Sequence, residues 1–448
     1  MRNSGMNMPR VKQENRSSIL RCILEQGPIS RKDIARLTGL TPAAVTQLCA
    51  ELLSEGLLNE CGTQAQSAGE MGIGTQSAGT QSVGAQCGEM PGVEVQSAGA
   101  QNAEMQSVRT QCAEMQSAEA QSAGTQNAGP KTAATGKRSA GRKKILLNID
   151  FASRHLLAVS LGVETTYLAV SDLKGRCVCS AALATDRSIP PEAFLARVAG
   201  QARAMLAGAG TSLPRLWGVS VAVPGAVDKE RGLSLQAYGL WDRQVEVSRL
   251  LGDALGLPVC IENNVNAFAV AELLYGAGRR YDNLLLIKWG PGVGSAIITD
   301  GCLYEGRHGK AAELGHFIVE RDGPVCRCGR RGCLETKVSW QALCRKTPFL
   351  PEGFGEAYRS VAAQGAAGAF DAAIDLFART IVNSMTIRAP NRVVLFGPMF
   401  RDALIRQKLT DACCAYDAGY DAQRILYSAL AEEGEAIGPA AVFAQSVF

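Results

Sequence analysis

Residues 309–335, GKAAELGHFIVERDGPVCRCGRRGCLE, decide how the rest of the chain is read. They hold His316, Cys326, Cys328 and Cys333 in the pattern H-x9-C-x-C-G-x-x-G-C. Four nitrogen and sulfur donors within 18 residues suit a tetrahedral structural zinc. Gly329 and Gly332 would let the backbone double back so that Cys333 reaches the same ion. The Cys-x-Cys spacing is tighter than the C-x2-C of zinc fingers, so finger families are not implied. The competing reading is a loop with incidental thiols. Three Cys within eight residues, beside one of only three His in the chain, weigh against it.

Composition bounds the remainder. The chain has 448 residues, 46% of them hydrophobic, which excludes a wholly disordered protein and allows about three folded units. No run approaches the roughly 18–20 apolar residues of a membrane span. The opening MRNSGMNMPRVKQENR has no apolar h-region, so nothing there marks secretion. Fifteen Cys, an odd number scattered through a long chain, do not resemble a secreted disulfide framework, and a cytoplasmic location is expected. The net charge of +4 is too small to prove a nucleic-acid partner, but its placement is informative. Residues 1–40 carry eight Lys or Arg against three acids, and residues 130–144 carry six basic residues and no acid.

Upstream of the zinc pattern, residues 15–62 read as three helices and a turn. NRSSILRCILEQG places Ile19, Ile23 and Leu24 on one face. Ser30 can cap RKDIARLTG, in which Ile34 and Leu37 face inward and Gly39 stops the helix. Thr41 then caps a helix with Pro42 at its first position, and Val45, Leu48, Leu52 and Leu53 turn inward. A short polar-faced helix after a tight turn is what a major-groove reader needs, and GLLNE begins a wing. A small helical bundle is the bland alternative, with the same periodicity but no reason for this turn spacing. Thr41, Ala43, Thr46 and Gln47 occupy the exposed face of the third helix. Gln47 suits adenine and Ala43 a thymine methyl. The basic run that includes Arg142 and Lys143 suits phosphates or a minor groove, with a solvated linker end as the even alternative.

Residues 63–140 repeat with a period of five, Gln recurring at 96, 101, 106, 111, 116, 121 and 126. A β-helix needs a bulky apolar residue in each repeat, and here the small position is Ala or Val. A disordered linker is expected. It interrupts the chain where the wing meets the next domain. The expectation is that GLLNE still pairs with the strand near 142–147 while the insert loops out at modest entropic cost. From Lys144 strands and helices alternate in an α/β domain of about 300 residues, two-lobed by expectation. Two further motifs stand in it. WGPGVGS at 289–295 is a Gly-rich loop between strands, either a tight hairpin or an amide cradle for phosphate. IENNVNAFAVAELLYGAG at 261–278 presents Glu262, Asn263 and Asn264 at a strand end that feeds a helix, either as a polyol site or as a helix cap.

These signals, in this order after a helix-turn-helix, resemble the ROK family of repressors and sugar kinases. The resemblance covers residues 15–62 and 141–448 and is most specific in the long match at 309–335. It implies an actin-like (ribonuclease H-like) two-lobed ATPase-type α/β domain preceded by an all-α winged helix-turn-helix domain. The division it implies is a DNA-binding domain at 1–62, a linker at 63–140 and a sugar-sensing domain at 141–448. The lobes would be roughly 141–262 with the C-terminal helix, and 263–430. It also implies zinc on His316, Cys326, Cys328 and Cys333, and a sugar held by Asn263, Asn264, Glu313, His316 and Glu335. Carboxylates and amides match the donors and acceptors of a sugar.

Departures from the family pattern separate its two branches. A kinase needs a carboxylate base for the attacking hydroxyl. The family's Glu-Asn-Asp stands here as Glu262, Asn263 and Asn264, and an amide at 264 is no base. The first phosphate loop reads Ser160, Leu161, Gly162, Val163, Glu164 without its metal-orienting Asp. Pro291 removes a donor from the second loop, and the later Gly-Gly is reduced to Gly397-Pro398. The expectation is therefore no enzymatic activity but a sugar-responsive regulator, most simply a repressor of carbohydrate-utilisation genes such as those for xylose. Its partners would be operator DNA and a small-molecule sugar inducer, with no membrane, as a homodimer or homotetramer. The alternative is an ATP-dependent sugar kinase with a fused DNA-binding domain.

Overall fold

A computed structural model of the chain describes residues 8–61, 145–210, 216–306, 311–345, 354–363, 365, 367–417, 422–430 and 435–448. The pentapeptide segment, Arg142 and Lys143 lie outside these residues.

The N-terminal helices are α1 (Met8–Gln26), α2 (Arg31–Thr38) and α3 (Pro42–Ser54). Their ends follow the local chemistry. The Ser30 hydroxyl accepts from the Asp33 amide at the start of α2, and Gly39 closes it at φ 70°. The Thr41 hydroxyl accepts from the Ala44 amide, with Pro42 at the first helical position. Ile19, Ile23, Ile34, Val45, Leu48 and Leu52 are buried together, as the periodicity requires, and Cys49 joins them. Leu37 is a correction: it is 49% exposed. The eight-residue α2 stops just after it and buries only Ile34.

The wing completes itself across the insertion. Strands β1 (Ile29–Ser30), β2 (Leu58–Cys61) and β3 (Leu146–Ile149) form a sheet in the order β1-β3-β2. β3 is the central strand, antiparallel to both neighbours, and Cys61 stands opposite Leu146. The chain thus leaves and re-enters at facing positions of one ladder. An insertion closed in this way costs only loop entropy, which grows slowly with length.

Beyond β3 the chain continues through β4 (His155–Ser160), β5 (Thr165–Asp172), β6 (Cys177–Ala184) and β7 (Leu216–Val223). A hairpin of β8 (Gly225–Asp228) and β9 (Leu233–Ala237) follows, and then β10 (Val259–Asn263). The first sheet has the order β10-β7-β4-β5-β6. The second is built from β11 (Leu284–Trp289), β12 (Val293–Thr299), β13 (Cys302–Leu303), β14 (Arg392–Phe396) and β15 (Ile425–Tyr427), in the order β13-β12-β11-β14-β15. Both sheets join two antiparallel pairs to two parallel ones in the same succession, so the second lobe repeats the topology of the first.

Each lobe has its own core. Helices Pro191–Gly208 and Val247–Leu255 bury Phe194, Val198 and Leu251 against the first sheet. Helices Gly368–Arg388 and Ala403–Tyr416 bury Phe377, Ile381 and Leu409 against Trp289 and Leu395 of the second. A cleft helix, Asn264–Tyr275, follows β10 and packs on the second sheet through Phe268, which stacks on Phe396 at 3.9 Å. The C-terminal helix, Ile437–Val447, lies against the cleft helix at Gly438, where a Cβ would stand 3.1 Å from the Phe268 amide. Only a glycine permits that approach without a shift. Among the described residues, no helix is long and apolar enough to cross a membrane.

Candidate functional site

The exposed face of α3 is a continuous polar strip. Thr41, Ala43, Thr46 and Gln47 are all exposed, opposite the buried Val45, Leu48, Cys49 and Leu52. Thr46 donates to the Pro42 carbonyl, so its methyl is what the surface presents beside the amide of Gln47. The far end of the helix is fixed from two sides. Arg16 pairs with Glu55 through both of its terminal nitrogens, at 2.7 and 2.6 Å. Arg154, on the link between β3 and β4, donates to the Glu55 carbonyl and lies 4.3 Å from the Trp217 ring centroid.

The metal loop brings its four sequence-predicted residues together. His316, Cys326, Cys328 and Cys333 have ligand atoms all within 4.8 Å of one another. His316 Nδ1 is 3.5 Å from Cys326 Sγ, and the sulfurs of Cys328 and Cys333 are 3.6 Å apart. Thiolates around a zinc at about 2.3 Å would stand roughly 3.8 Å apart, so this donor set fits a tetrahedral ion. The loop geometry depends on Gly332, at φ 66°, where a Cβ would fall 1.5 Å from the Glu320 carbonyl oxygen. Burial pushes the Cys333 thiol up to about 12, with Cys328 beside it adding to the effect. Cys328 moves the other way: burial opposes its ionisation, but hydrogen bonds from Arg330 and the neighbouring thiols outweigh it.

The cleft carboxylates are engaged by the chain itself. Glu262 is buried at the end of β10, where it accepts from the Asn263 amide at 2.9 Å and from Asn266 Nδ2 at 3.2 Å. Lys229, from the β8–β9 turn, pairs with it at 3.0 Å and also reaches Glu305 beyond β13. One lysine therefore ties the two lobes together. Asn263 acts as the cap of the cleft helix: its Oδ1 accepts from the Val265 and Asn266 amides, and its Nδ2 donates to the Gly225 carbonyl. Asn264, one residue on, lines a cavity of about 490 Å³ with Ser160, Lys288, Phe396, Arg401 and Tyr427. Glu313 is half exposed, 3.7 Å from His316 Nε2. Burial first, and then the negative Glu313, hold the nearby Tyr238 hydroxyl above its ordinary range.

The Gly-rich loop is a tight hairpin between β11 and β12, with Trp289 opposite Val293. Its donors face inward. The Gly290 amide donates to the Gly292 carbonyl, and the Val293 amide donates to Glu335. Glu335 also accepts from Arg327 at 2.9 and 2.7 Å. Sequence reasoning missed Arg327, Lys229 and Tyr238. The signal available for Arg327 was its place between two ligand cysteines. Lys229 carried none beyond its position after a turn.

Comparison with known proteins follows this geometry. The ROK family profile matches residues 156–446, and a profile described as winged helix-turn-helix DNA-binding matches residues 12–59. The chain is 31% identical over 258 residues to a glucokinase of Thermotoga maritima, covering 51% of this chain and 80% of that one. It is 28% identical over 210 residues to the xylose repressor of Bacillus subtilis, covering 47% of this chain and about half (54%) of that protein's length. A crystal structure described as a ROK family transcriptional regulator, homologous to the Escherichia coli MLC protein, superposes with a TM-score of 0.68 at 22% identity. It covers 98% of this chain and 96% of that one, and the described residues share its fold. The two sheets of repeated topology, the His316–Cys333 cluster in the second lobe and the family match over residues 156–446 place this chain in the ROK family, with a winged helix-turn-helix unit ahead of the ROK domain.

Proposed function

We propose that the protein is a sugar-responsive transcriptional repressor whose ROK domain senses its ligand without phosphorylating it. The observation that carries the reading is a shared core. Ala444 and Phe448 of the C-terminal helix are buried with Ile19, Leu48 and Leu147 of the winged-helix unit, while Gly438 and Pro439 of the same helix line the cleft cavity. Asn264 lines the same cavity, so a change at that end of the ligand site has a short, packed route to the winged-helix unit. Ligand binding shifts operator affinity only if the two lobe arrangements bind the ligand differently. A homodimer or homotetramer would present paired recognition helices to a pseudo-palindromic operator.

Asn264, Glu313, His316 and Glu335 are the residues we assign to the sugar, with Asn263 holding the cleft helix in place. His316, Cys326, Cys328 and Cys333 would hold a structural zinc, which supplies rigidity to the loop that carries Glu335 and Arg327. The kinase reading draws on the glucokinase relative. Against it stand Asn264 where a base is needed, Ser160 in the first phosphate loop, and hairpin amides already used by Glu335 and Gly292.

Fluorescence anisotropy of the zinc-loaded protein on its own upstream DNA, with and without a panel of sugars, tests the proposal. Salt-sensitive binding weakened by one sugar is the expected outcome. Sugar-dependent release of ADP well above background would overturn it in favour of the kinase.

A further inference from the structure

We propose that Arg327 is a built-in competitor for the sugar site, a specificity-determining residue that must leave Glu335 before a sugar can bind there. The inference rests on the sugar-sensing reading above. Glu335 is 9% exposed, and both of its oxygens are used. Oε2 accepts from the Val293 amide at 3.0 Å, and Oε1 accepts from Arg327 Nε at 2.9 Å and Nη2 at 2.7 Å. A carboxylate offers about four acceptor sites, so three are filled before any ligand arrives.

With its Nε–Nη2 edge on Glu335, the guanidinium lies over Tyr238, its Cζ 4.9 Å from the ring centroid. Tyr238 follows β9 and belongs to the first lobe, whereas Arg327 and Glu335 belong to the second. A flat group between a carboxylate and an aromatic ring is also the arrangement a sugar ring takes. Its hydroxyls donate to the carboxylate and its C–H face covers the ring. Arg327 fills that arrangement with two N–H donors and a full positive charge on one oxygen, where a sugar hydroxyl brings a single neutral donor. The loop limits how far the arginine can retreat, because the residues on either side of it, Cys326 and Cys328, belong to the metal cluster. Displacing it removes a contact between the lobes as well as an ion pair. A ligand that cannot replace both contacts is therefore rejected.

The test compares wild-type protein with R327Q by calorimetric titration with D-xylose and with D-glucose, with zinc content measured on each sample. R327Q is expected to bind one of these sugars roughly tenfold more tightly, equivalent to about 1.4 kcal/mol, at unchanged zinc stoichiometry. A supporting or positioning role for Arg327 predicts weaker binding instead. Equal or weaker binding by zinc-loaded R327Q, with the wild type binding normally, overturns the competitor and leaves the sugar site standing. Absence of binding of either sugar to both proteins overturns the competitor for these two sugars, and absence across the whole sugar panel overturns the sugar reading with it. If R327Q loses its metal, R327K decides. It keeps the charge beside the thiolates but cannot form the two-nitrogen contact, so a gain of about threefold is expected and no gain overturns the proposal.

Discussion

Glu313 is the residue on which ligand recognition is most cleanly tested. It is about half exposed and leans on His316, and among the described residues no Lys or Arg pairs with it, unlike Glu262 with Lys229 and Glu335 with Arg327. Its carboxylate can accept from a ligand hydroxyl, and its loss leaves no buried charge behind. Glu313→Ala is expected to abolish the sugar response while operator affinity stays within about twofold of wild type, since surface substitutions cost within ~0.5 kcal/mol. Anisotropy with and without the sugar checks both halves, and a variant that responds normally removes Glu313 from the site. Glu262 would be a poor choice for the same purpose. Truncating it leaves Lys229 on Glu305 alone and unties Asn266, so a lost response would report damage to the cleft rather than lost recognition.

The C-terminal helix is the element that joins the parts of the molecule. Ala440 and Phe443 pack on Leu156 and Ala158 of the first sheet, Ile437 and Ala441 on the cleft helix and second sheet, and Ala444 and Phe448 in the winged-helix core. Small residues let it approach all three. Phe448, 2% exposed and edge-on to Phe151 at 6.4 Å, is its last anchor. Phe448→Ala should cost about 3 kcal/mol of local stability, as for truncating a buried core phenylalanine. The expected readout is weaker operator binding with unchanged sugar affinity, and an unchanged operator affinity would remove the helix from the pathway. The loop proposed above to hold zinc, His316 to Cys333, is a second element to test. Chelating the metal from the folded protein is expected to lower its melting temperature and its sugar affinity together, and a chelated protein that binds sugar normally would show the loop to be dispensable. How far these elements were legible in the sequence follows from range. The caps of α2 and α3, the strand pair around WGPGVGS and the four cysteine and histidine positions are written in local spacing. The pairs Lys229–Glu262 and Arg327–Glu335 are not, because a side-chain partner depends on which loops the fold brings together. Leu37 failed for a related reason: its periodic position points inward, but α2 ends before the core extends that far.

For the molecule as a whole the question is how a long insertion can interrupt a signalling path without severing it. The ladder between β2 and β3 supplies the answer. Cys61 and Leu146 face each other, so the path from α3 to the first lobe runs through strand pairing and does not follow the chain through the insertion. β3 then leads within a few residues to Arg154, which holds the end of the recognition helix, and to β4 beside the cleft. The C-terminal helix provides a second route through Phe448. Two packed routes make the tether itself irrelevant to orientation. Replacing residues 64–136 with a short Gly-Ser turn is therefore expected to leave operator affinity and sugar response within about threefold of wild type. It should also raise stability slightly, since each halving of a loop recovers about 0.6 kcal/mol of closure entropy. Thermal melting and the anisotropy titration check the two statements. A shortened protein that folds and binds sugar but no longer regulates DNA binding would show that the insertion carries a signal of its own, and the ladder would then be a scaffold and not the route.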